Sequence, residues 1–159
     1  MNENYIYGRV SEEVREKLAY LPTICDLLEM MKREYSDSLA IGDDNVKYTY
    51  AELYSRVAKR RNYINSLGVS KGGKVAVMSR NSLDSMELFL AITSAGYTMI
   101  MLPAQLDEQK LAGCVAKFSI EALFVSDEFK PLTEGLNTKV VHISSTSEEE
   151  APMGEGIVK

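Results

Sequence analysis

The chain has 159 residues and a net charge of −5, with 45% hydrophobic and 26% charged residues. This length predicts one domain, or one domain with a small appendage, that buries a core without disulfides, and the acidic balance argues against nucleic acid as a partner. No stretch approaches the roughly 20 apolar residues of a membrane span, and the polar amino terminus lacks the apolar region of a signal peptide, so we expect a cytoplasmic protein.

The first 35 residues predict two helices. Residues 11–21 read as a short helix with Ser11 as its N-cap. A second helix opens at Pro22 or Thr23, runs to about Tyr35 and carries one apolar stripe. The members of the stripe are Ile24, Leu27, Leu28 and Met31. Cys25 in this helix and Cys114 further on belong to no CxxC or Cys/His cluster, which predicts reduced structural thiols.

A β-hairpin and a long helix follow. Residues 38–42 and 46–49 predict two strands, and Asp43 and Asp44 between them fit a turn better than a metal site, because no third ligand lies nearby. Thr49 and Glu52 have the spacing of a capping box for a helix that runs to about residue 66. We expect the basic cluster at residues 59–61 to lie on the solvated face of this helix.

From residue 74 onward, strands and helices alternate. Short apolar strands are predicted at residues 74–79, 97–102, 121–126 and 139–143, and helices at 82–95, 107–118 and 129–134. This alternation predicts right-handed crossovers and a parallel sheet. The predicted fold class is therefore α/β, a parallel sheet flanked by helices with Rossmann- or flavodoxin-like layering, preceded by N-terminal helices and a β-hairpin.

Three divisions of the chain follow from these patterns. Residues 1–21 form an N-terminal helical lead, residues 22–143 form the α/β unit, and residues 144–159 form a loose C-terminal tail. The tail is rich in Ser, Glu and Gly and lacks an apolar period.

The predicted sheet also indicates where a ligand would bind. In open parallel sheets, ligands bind beyond the carboxyl ends of the strands, which are here residues 79–82, 103–107 and 126–130. The chain contains no GxGxxG after a strand, no GxxxxGK[ST] and no GxSxG. The single histidine, His142, lies in a strand pattern and is expected to be a packed or edge residue without a nucleophile partner. The residues alone thus predict no catalytic group and no metal ligand.

A series of short motifs nevertheless resembles one family. The series begins with YTYAEL at residues 48–53 and LGV at 67–69, and continues with KGGKVAV at 71–77 and RNS at 80–82. It ends with SAG at 94–96 and LP at 102–103. This order and spacing resembles the N-terminal region of the adenylate-forming (AMP-binding) superfamily of acyl-CoA synthetases, aryl-CoA ligases, luciferases and peptide-synthetase adenylation domains.

The resemblance implies an AMP-forming parent enzyme that uses ATP, Mg²⁺ and CoA. In that family a carboxylate attacks ATP to give an acyl-adenylate and pyrophosphate, and a thiol such as CoA then displaces AMP. The phosphate loop and the catalytic residues of the family lie downstream of this region. We therefore expect this chain alone to hold no cofactor, to be inactive, and to have the rest of the parent enzyme as its partner.

The chain departs from the family at two places. Gly73 stands where the family usually has Asp, and Gln105 lies where some relatives have a basic residue that contacts CoA phosphate. A neutral Gln can donate hydrogen bonds but brings no charge. The resemblance thus assigns Gln105 and Lys130 at most to a rim on the CoA side.

An alternative is a stand-alone, non-enzymatic binding module of flavodoxin-like architecture. The two alternatives differ in exposed surface. A piece of a larger enzyme leaves a sheet face or edge uncovered and tends to self-associate, whereas a complete domain is monodisperse.

Overall fold

The computed structural model describes Glu13, Glu16 and residues 23–153. The predicted helix at residues 11–21 and the predicted lead at 1–21 fall outside this part of the chain, apart from the two glutamates. The helices are α1 (Ile24–Tyr35), α2 (Tyr50–Ser66), α3 (Leu83–Ser94) and α4 (Glu108–Phe118). The strands are β1 (Leu39–Gly42), β2 (Lys47–Thr49), β3 (Lys74–Met78), β4 (Thr98–Met101), β5 (Ile120–Val125) and β6 (Lys139–His142). A 3₁₀ helix (Asp127–Thr133) joins β5 to β6.

The structure confirms the predicted α/β fold. Strands β3 to β6 form a four-stranded parallel sheet in the order β4-β3-β5-β6, and β1 and β2 form a separate antiparallel hairpin. Alternate side chains of the central strands point to opposite faces. Val75 and Phe124 pack with α1, α2 and α3, whereas Ala76 and Leu123 pack with α4 and the 3₁₀ helix. Apolar residues on both faces explain why the strands read as continuous runs.

Local sequence signals set the predicted helix starts. Thr23 caps α1, and Thr49 and Glu52 form the predicted capping box of α2. Ser82 caps α3 and completes a second capping box with Ser85. Each cap satisfies N–H groups that have no partner within the first turn.

The hairpin turn uses an acidic side chain in the predicted way. The Asp43 carboxylate accepts from the N–H groups of Asn45 and Val46, each at 2.8 Å. These hydrogen bonds, that of Asn45 first, hold the pKa of Asp43 below its ordinary value. The carboxylate thus stabilises the backbone of the turn.

The connection from β5 to β6 differs from the predicted helix at residues 129–134. It is a 3₁₀ helix that begins at Asp127 and contains Pro131. Proline lacks the N–H that an α-helical hydrogen bond needs and restricts the preceding residue. The shorter repeat of a 3₁₀ helix accommodates this proline in a brief connection.

The prediction of a solvated basic cluster at residues 59–61 is wrong for two of its three members. Arg60 is 2% exposed and Arg61 is 7% exposed, while Lys59 is half-buried. Arg60 follows Val57 by three residues and precedes Ile64 by four, so it falls on the same helical face as these buried residues. Buried acceptors, described below, compensate the charge of Arg60.

Residues 144–153 are held against the rest of the structure, whereas the sequence predicted a loose tail. This segment lies along α2, where the Ala151 N–H donates to the Ala58 carbonyl at 3.1 Å. The Arg61 guanidinium donates to the Pro152 carbonyl at 3.0 Å, and the Asn62 amide donates to the Glu149 carbonyl at 3.2 Å. Hydrogen bonds from polar side chains of α2 thus hold this segment, although its sequence has no periodic apolar residues.

Across residues 23–153, no helix is long and apolar enough to cross a membrane. The cytoplasmic location stays a prediction.

Candidate functional site

The strand order places a topological switch point between β3 and β5. The chain passes from β3 through α3 to β4 on one side, and then through α4 to β5 on the other side of β3. The loops that follow β3 and β5 therefore run in opposite directions and leave a crevice between them at the carboxyl edge of the sheet. Such a crevice is where open α/β sheets bind ligands, so the loops at residues 79–82 and 126–130 form the candidate site.

An ion pair bridges this crevice. The Arg80 guanidinium donates to the Glu128 carboxylate at 3.0 Å, and the side chains are 74% and 43% exposed. An exposed pair of this kind contributes only about 0–1 kcal/mol, so it can be displaced by a ligand or a covering chain. The Ser126 hydroxyl at the same edge is buried and has no hydrogen-bond partner within the described part of the chain.

A serine, a histidine and an aspartate lie in line beside this crevice. His142 Nε2 lies 3.2 Å from Asp127 Oδ1, and His142 Nδ1 lies 2.7 Å from Ser144 Oγ. The Ser144 N–H also donates to Nδ1 at 3.2 Å, which favours the tautomer with its proton on Nε2. The sequence predicted a packed or edge position for His142 without a nucleophile partner. His142 lies on the edge strand β6, and its neighbour Ser144, two residues further along the chain, was not predicted.

This arrangement is better explained as a turn than as a nucleophilic centre. The Asp127 side chain is 86% exposed and that of His142 is 43% exposed, so water screens the charge that would orient and activate the serine. Ser144 bonds to His142 through its own backbone N–H as well, which is a local turn pattern. Acyl transfer also needs donors aimed at a developing oxyanion, and no such set adjoins Ser144 in the described residues.

The two residues assigned to a CoA-side rim both lie at this edge of the sheet. Gln105 is in the loop between β4 and α4, and Lys130 is in the 3₁₀ helix after β5. Both are exposed, and neither side chain makes a hydrogen bond or ion pair within residues 23–153. Gln105 follows β4 and Lys130 follows β5, and β3 lies between these two strands in the sheet.

A buried ion cluster was missed by the sequence reasoning. Arg60 Nε donates to Glu87 Oε2 at 2.7 Å, and Arg60 also pairs with Asp84 of α3. Glu87 is 1% exposed and pairs in addition with Arg56. A third donor position of Arg60 reaches the Ile143 carbonyl at 2.6 Å, just beyond β6. The cluster therefore joins α2, α3 and the start of the tail through charge-assisted hydrogen bonds.

A small polar cavity of about 190 Å³ adjoins this cluster. Its lining includes Arg56, Lys59 and Glu148, together with hydroxyls of the tail. Three cations and two carboxylates line it, and two of the cations, Arg56 and Arg60, already pair with Glu87.

The opposite, amino edge of the sheet carries a groove of about 670 Å³ between α4, β5 and the loop before β6. The Glu121 carboxylate at this edge accepts from the Ser70 N–H at 2.8 Å and from the Ser70 hydroxyl at 2.5 Å. These bonds, that of the hydroxyl first, hold the pKa of Glu121 below its ordinary value. A Cβ at Gly73 would meet the Glu121 carboxylate and would lie 2.7 Å from the Ser70 carbonyl.

The turn before β3 therefore has no room for a side chain at Gly73, because the carboxylate of Glu121 from β5 packs against it.

The resemblance implies a magnesium ion for the parent enzyme, and such an ion is usually held by one or two carboxylates together with substrate phosphates. Across this part of the chain, no three His, Cys, Asp or Glu side chains are grouped so that they could hold a metal ion.

Comparison with known proteins gives a consistent result. Residues 28–156 match the model of a family described as AMP-binding enzyme. A linear gramicidin synthase of Brevibacillus parabrevis is 30% identical over 107 residues, which is 67% of this chain and 2% of that protein. The 2-succinylbenzoate–CoA ligase of Geobacillus sp. (strain WCH70) is 28% identical over 120 residues, which is 74% of this chain and 24% of that protein.

A solved structure shares the fold. A fatty acyl CoA synthetase of Mycobacterium tuberculosis superposes with a TM-score of 0.73 at 16% identity, over 82% of this chain and 30% of that one. At this identity the likeness concerns the fold alone. The chain thus spans less than a third of each of these three relatives.

Proposed function

This chain belongs to the AMP-binding enzyme family, and on that premise we propose that it forms the amino-terminal α/β subdomain of an AMP-forming acyl- or aryl-CoA ligase. The observation that carries the proposal is the family match over residues 28–156, which contains every strand of the structure. The 2-succinylbenzoate–CoA ligase among the relatives supports a carboxylate–CoA ligase as the type of parent. The alternative of a free-standing binding module gains no support from the comparisons.

Within such a ligase, this subdomain acts as a scaffold. Its switch-point edge carries an exposed ion pair and an exposed histidine turn, and neither is desolvated enough to stabilise a developing charge. The proposal therefore assigns the chemistry of ATP, magnesium and the acyl-adenylate to the remainder of the enzyme. The chain alone is expected to be inactive.

Gln105 and Lys130 contribute at most to the outer wall of the CoA pocket in this proposal. Their support is position, since both are exposed at the carboxyl edge of the sheet. Lys130 supplies a charge that can pair with a phosphate, while Gln105 supplies hydrogen bonds only.

Carboxylate-dependent pyrophosphate release tests the proposal. The purified chain is mixed with MgATP, CoA and a panel of aliphatic and aromatic carboxylates, with a complete 2-succinylbenzoate–CoA ligase and its own substrate as the positive control. We expect no release above the ATP-only background. Turnover by the chain that depends on one carboxylate and yields AMP would overturn the assignment of the chemistry to the remainder.

A further inference from the structure

Residues 144–153, which we call the strap, lie along α2 after the sheet has ended. The residue just before the strap, Ile143, is 6% exposed and is held by the sheet and by the buried ion cluster. Its N–H donates to the Val125 carbonyl at 2.9 Å, and its carbonyl accepts from Arg60 at 2.6 Å. A segment that moves independently of the sheet would therefore turn about the residues that follow Ile143.

Polar contacts hold much of the strap. Within the described residues, its one backbone hydrogen bond to α2 joins the Ala151 N–H to the Ala58 carbonyl at 3.1 Å. The Asn62 amide donates to the Ser147 hydroxyl at 2.9 Å and to the Glu149 carbonyl at 3.2 Å. Hydrogen bonds near the surface can be exchanged for bonds to water at little net cost.

The strap also buries a charge. Arg61 of α2 is 7% exposed, and its Nη1 donates to the Pro152 carbonyl at 3.0 Å and lies 2.7 Å from the Met153 sulfur. Both of these partners belong to the strap. The Arg61 Nε is buried and has no hydrogen-bond partner within residues 23–153. The ion pairs that α2 forms in this part of the chain involve Arg56 and Arg60, and none involves Arg61.

The neighbouring arginine shows what compensates a buried guanidinium. Arg60 pairs with Glu87 and Asp84, whereas Arg61 meets a neutral carbonyl and a thioether. Burial of a cation is costly unless the charge is paired and hydrogen-bonded. The closed strap therefore carries a cost that opening removes, because the open strap returns Arg61 to water.

Two carboxylates near Arg61 accept hydrogen bonds from other donors. Glu29 of α1 accepts from the Tyr54 hydroxyl, and Glu150 of the strap accepts from the Ser55 hydroxyl. Burial raises the pKa of Tyr54, and the charges of both carboxylates raise it further while that of Arg61 lowers it, so the three charges share one neighbourhood. At this range the carboxylates reduce the cost of burying the guanidinium but do not supply its missing hydrogen bond.

We propose that the strap opens and closes as a unit while the rest of the fold stays intact, and that the buried charge of Arg61 lowers the cost of opening. Burial of Ala151 and Met153 against the core favours the closed form, and hydration of Arg61 favours the open form. Local openings of this kind need less free energy than global unfolding. This inference does not depend on the enzymatic assignment.

Native-state hydrogen exchange of the whole chain measures the opening. The Ala151 amide reports on the strap, and the Ile143 amide reports on the sheet just before it. After correction for intrinsic exchange rates, we expect the Ala151 amide to exchange at least about 100-fold faster than the Ile143 amide. Equal protection of the two amides would mean that the strap opens only when the whole fold does, and would overturn the proposal.

Three variants test the part played by Arg61. Arg61→Met keeps an apolar stem without the charge and is expected to slow exchange of the Ala151 amide at least about tenfold, since Pro152 is exposed and its carbonyl can bond to water. Asn62→Ala removes two hydrogen bonds to the strap and is expected to speed this exchange about three- to tenfold. Arg33→Met is the matched control, because it removes the same charge from a side chain that is 70% exposed, and it should leave the exchange unchanged.

The Ile143 amide distinguishes the strap from the fold as a whole in each variant. Its exchange is expected to be the same in the native chain, Arg61→Met and Asn62→Ala, with circular dichroism as the check that each variant is folded. Unchanged or faster exchange of the Ala151 amide in Arg61→Met would overturn the proposal, because Arg61 would then hold the strap closed or have no part in it. An equal effect of Arg33→Met would overturn it as well.

Discussion

Replacement of Arg60 by alanine is expected to destabilise the fold severely, although its sequence neighbours suggest a surface position. Arg60 is 2% exposed and its guanidinium pairs with Glu87, which is 1% exposed, and with Asp84. The truncation leaves Glu87 buried with Arg56 as its remaining cation, and it removes a donor from the Ile143 carbonyl. Breaking a buried ion pair by removing one partner costs about 3–5 kcal/mol.

Urea unfolding followed by circular dichroism measures this cost. A domain of this size has a total stability of about 5–15 kcal/mol, so Arg60→Ala should lower the midpoint sharply or prevent folding. Arg60→Lys keeps the charge without the planar fork and should fall between Arg60→Ala and the native chain. The matched control is Lys59→Ala, expected to change the free energy of unfolding by no more than about 0.5 kcal/mol.

A double replacement distinguishes the cost of leaving a buried charge unpaired from the stabilisation that the ion pair itself provides. Arg60→Met combined with Glu87→Leu removes both buried charges and is expected to be less destabilising than Arg60→Ala alone, because the fully buried carboxylate is gone and Asp84, which also loses Arg60, is 32% exposed to water. If Arg60→Ala lowered the free energy of unfolding no more than Lys59→Ala, the result would contradict the buried ion cluster. It would support a solvated position for Arg60 instead.

Three further predictions concern the amino edge and the thiols. Gly73→Ala is expected to lower the urea midpoint, because the added Cβ meets the Ser70 carbonyl and the Glu121 carboxylate; pairing it with Glu121→Ala should recover part of the loss, and full additivity of the two changes would contradict the contact. The folded-state pKa of Glu121 is lowered, so its contribution to stability should be present above about pH 5 and disappear as the pH falls through the folded-state pKa; a Glu121→Gln difference that persists in acid would refute this. Burial raises the pKa of the Cys25 thiol, so Cys25 should react with a thiol reagent at pH 8 more slowly than the half-buried Cys114, and faster labelling of Cys25 would count against its packing.

Local signals predicted much of the fold. The capping box at Thr49 and Glu52 depends only on a spacing of three residues, and the four parallel strands are short apolar runs between helices. Both features are readable without knowledge of tertiary contacts. The predicted parallel sheet and hairpin are accordingly confirmed.

The missed features depend on contacts between distant parts of the chain. The buried position of Arg60 was signalled by its spacing from Val57 and Ile64, but its partners on α3 could not be identified from sequence alone. The tail was judged by its composition, whereas its packing comes from polar side chains of α2 such as Asn62. The rim residues Gln105 and Lys130 stay predictions, because both are exposed and no hydrogen bond or ion pair fixes either side chain within residues 23–153.

The measurement that tests the central claim most directly is carboxylate-dependent formation of AMP and pyrophosphate by the purified chain. If this chain is the scaffold subdomain of an AMP-forming ligase, with the chemistry held by the remainder of the enzyme, both products should stay at the ATP-only background for every carboxylate tested. Stoichiometric formation of AMP and pyrophosphate with one carboxylate, lost in the destabilised Arg60→Ala variant, would contradict the account.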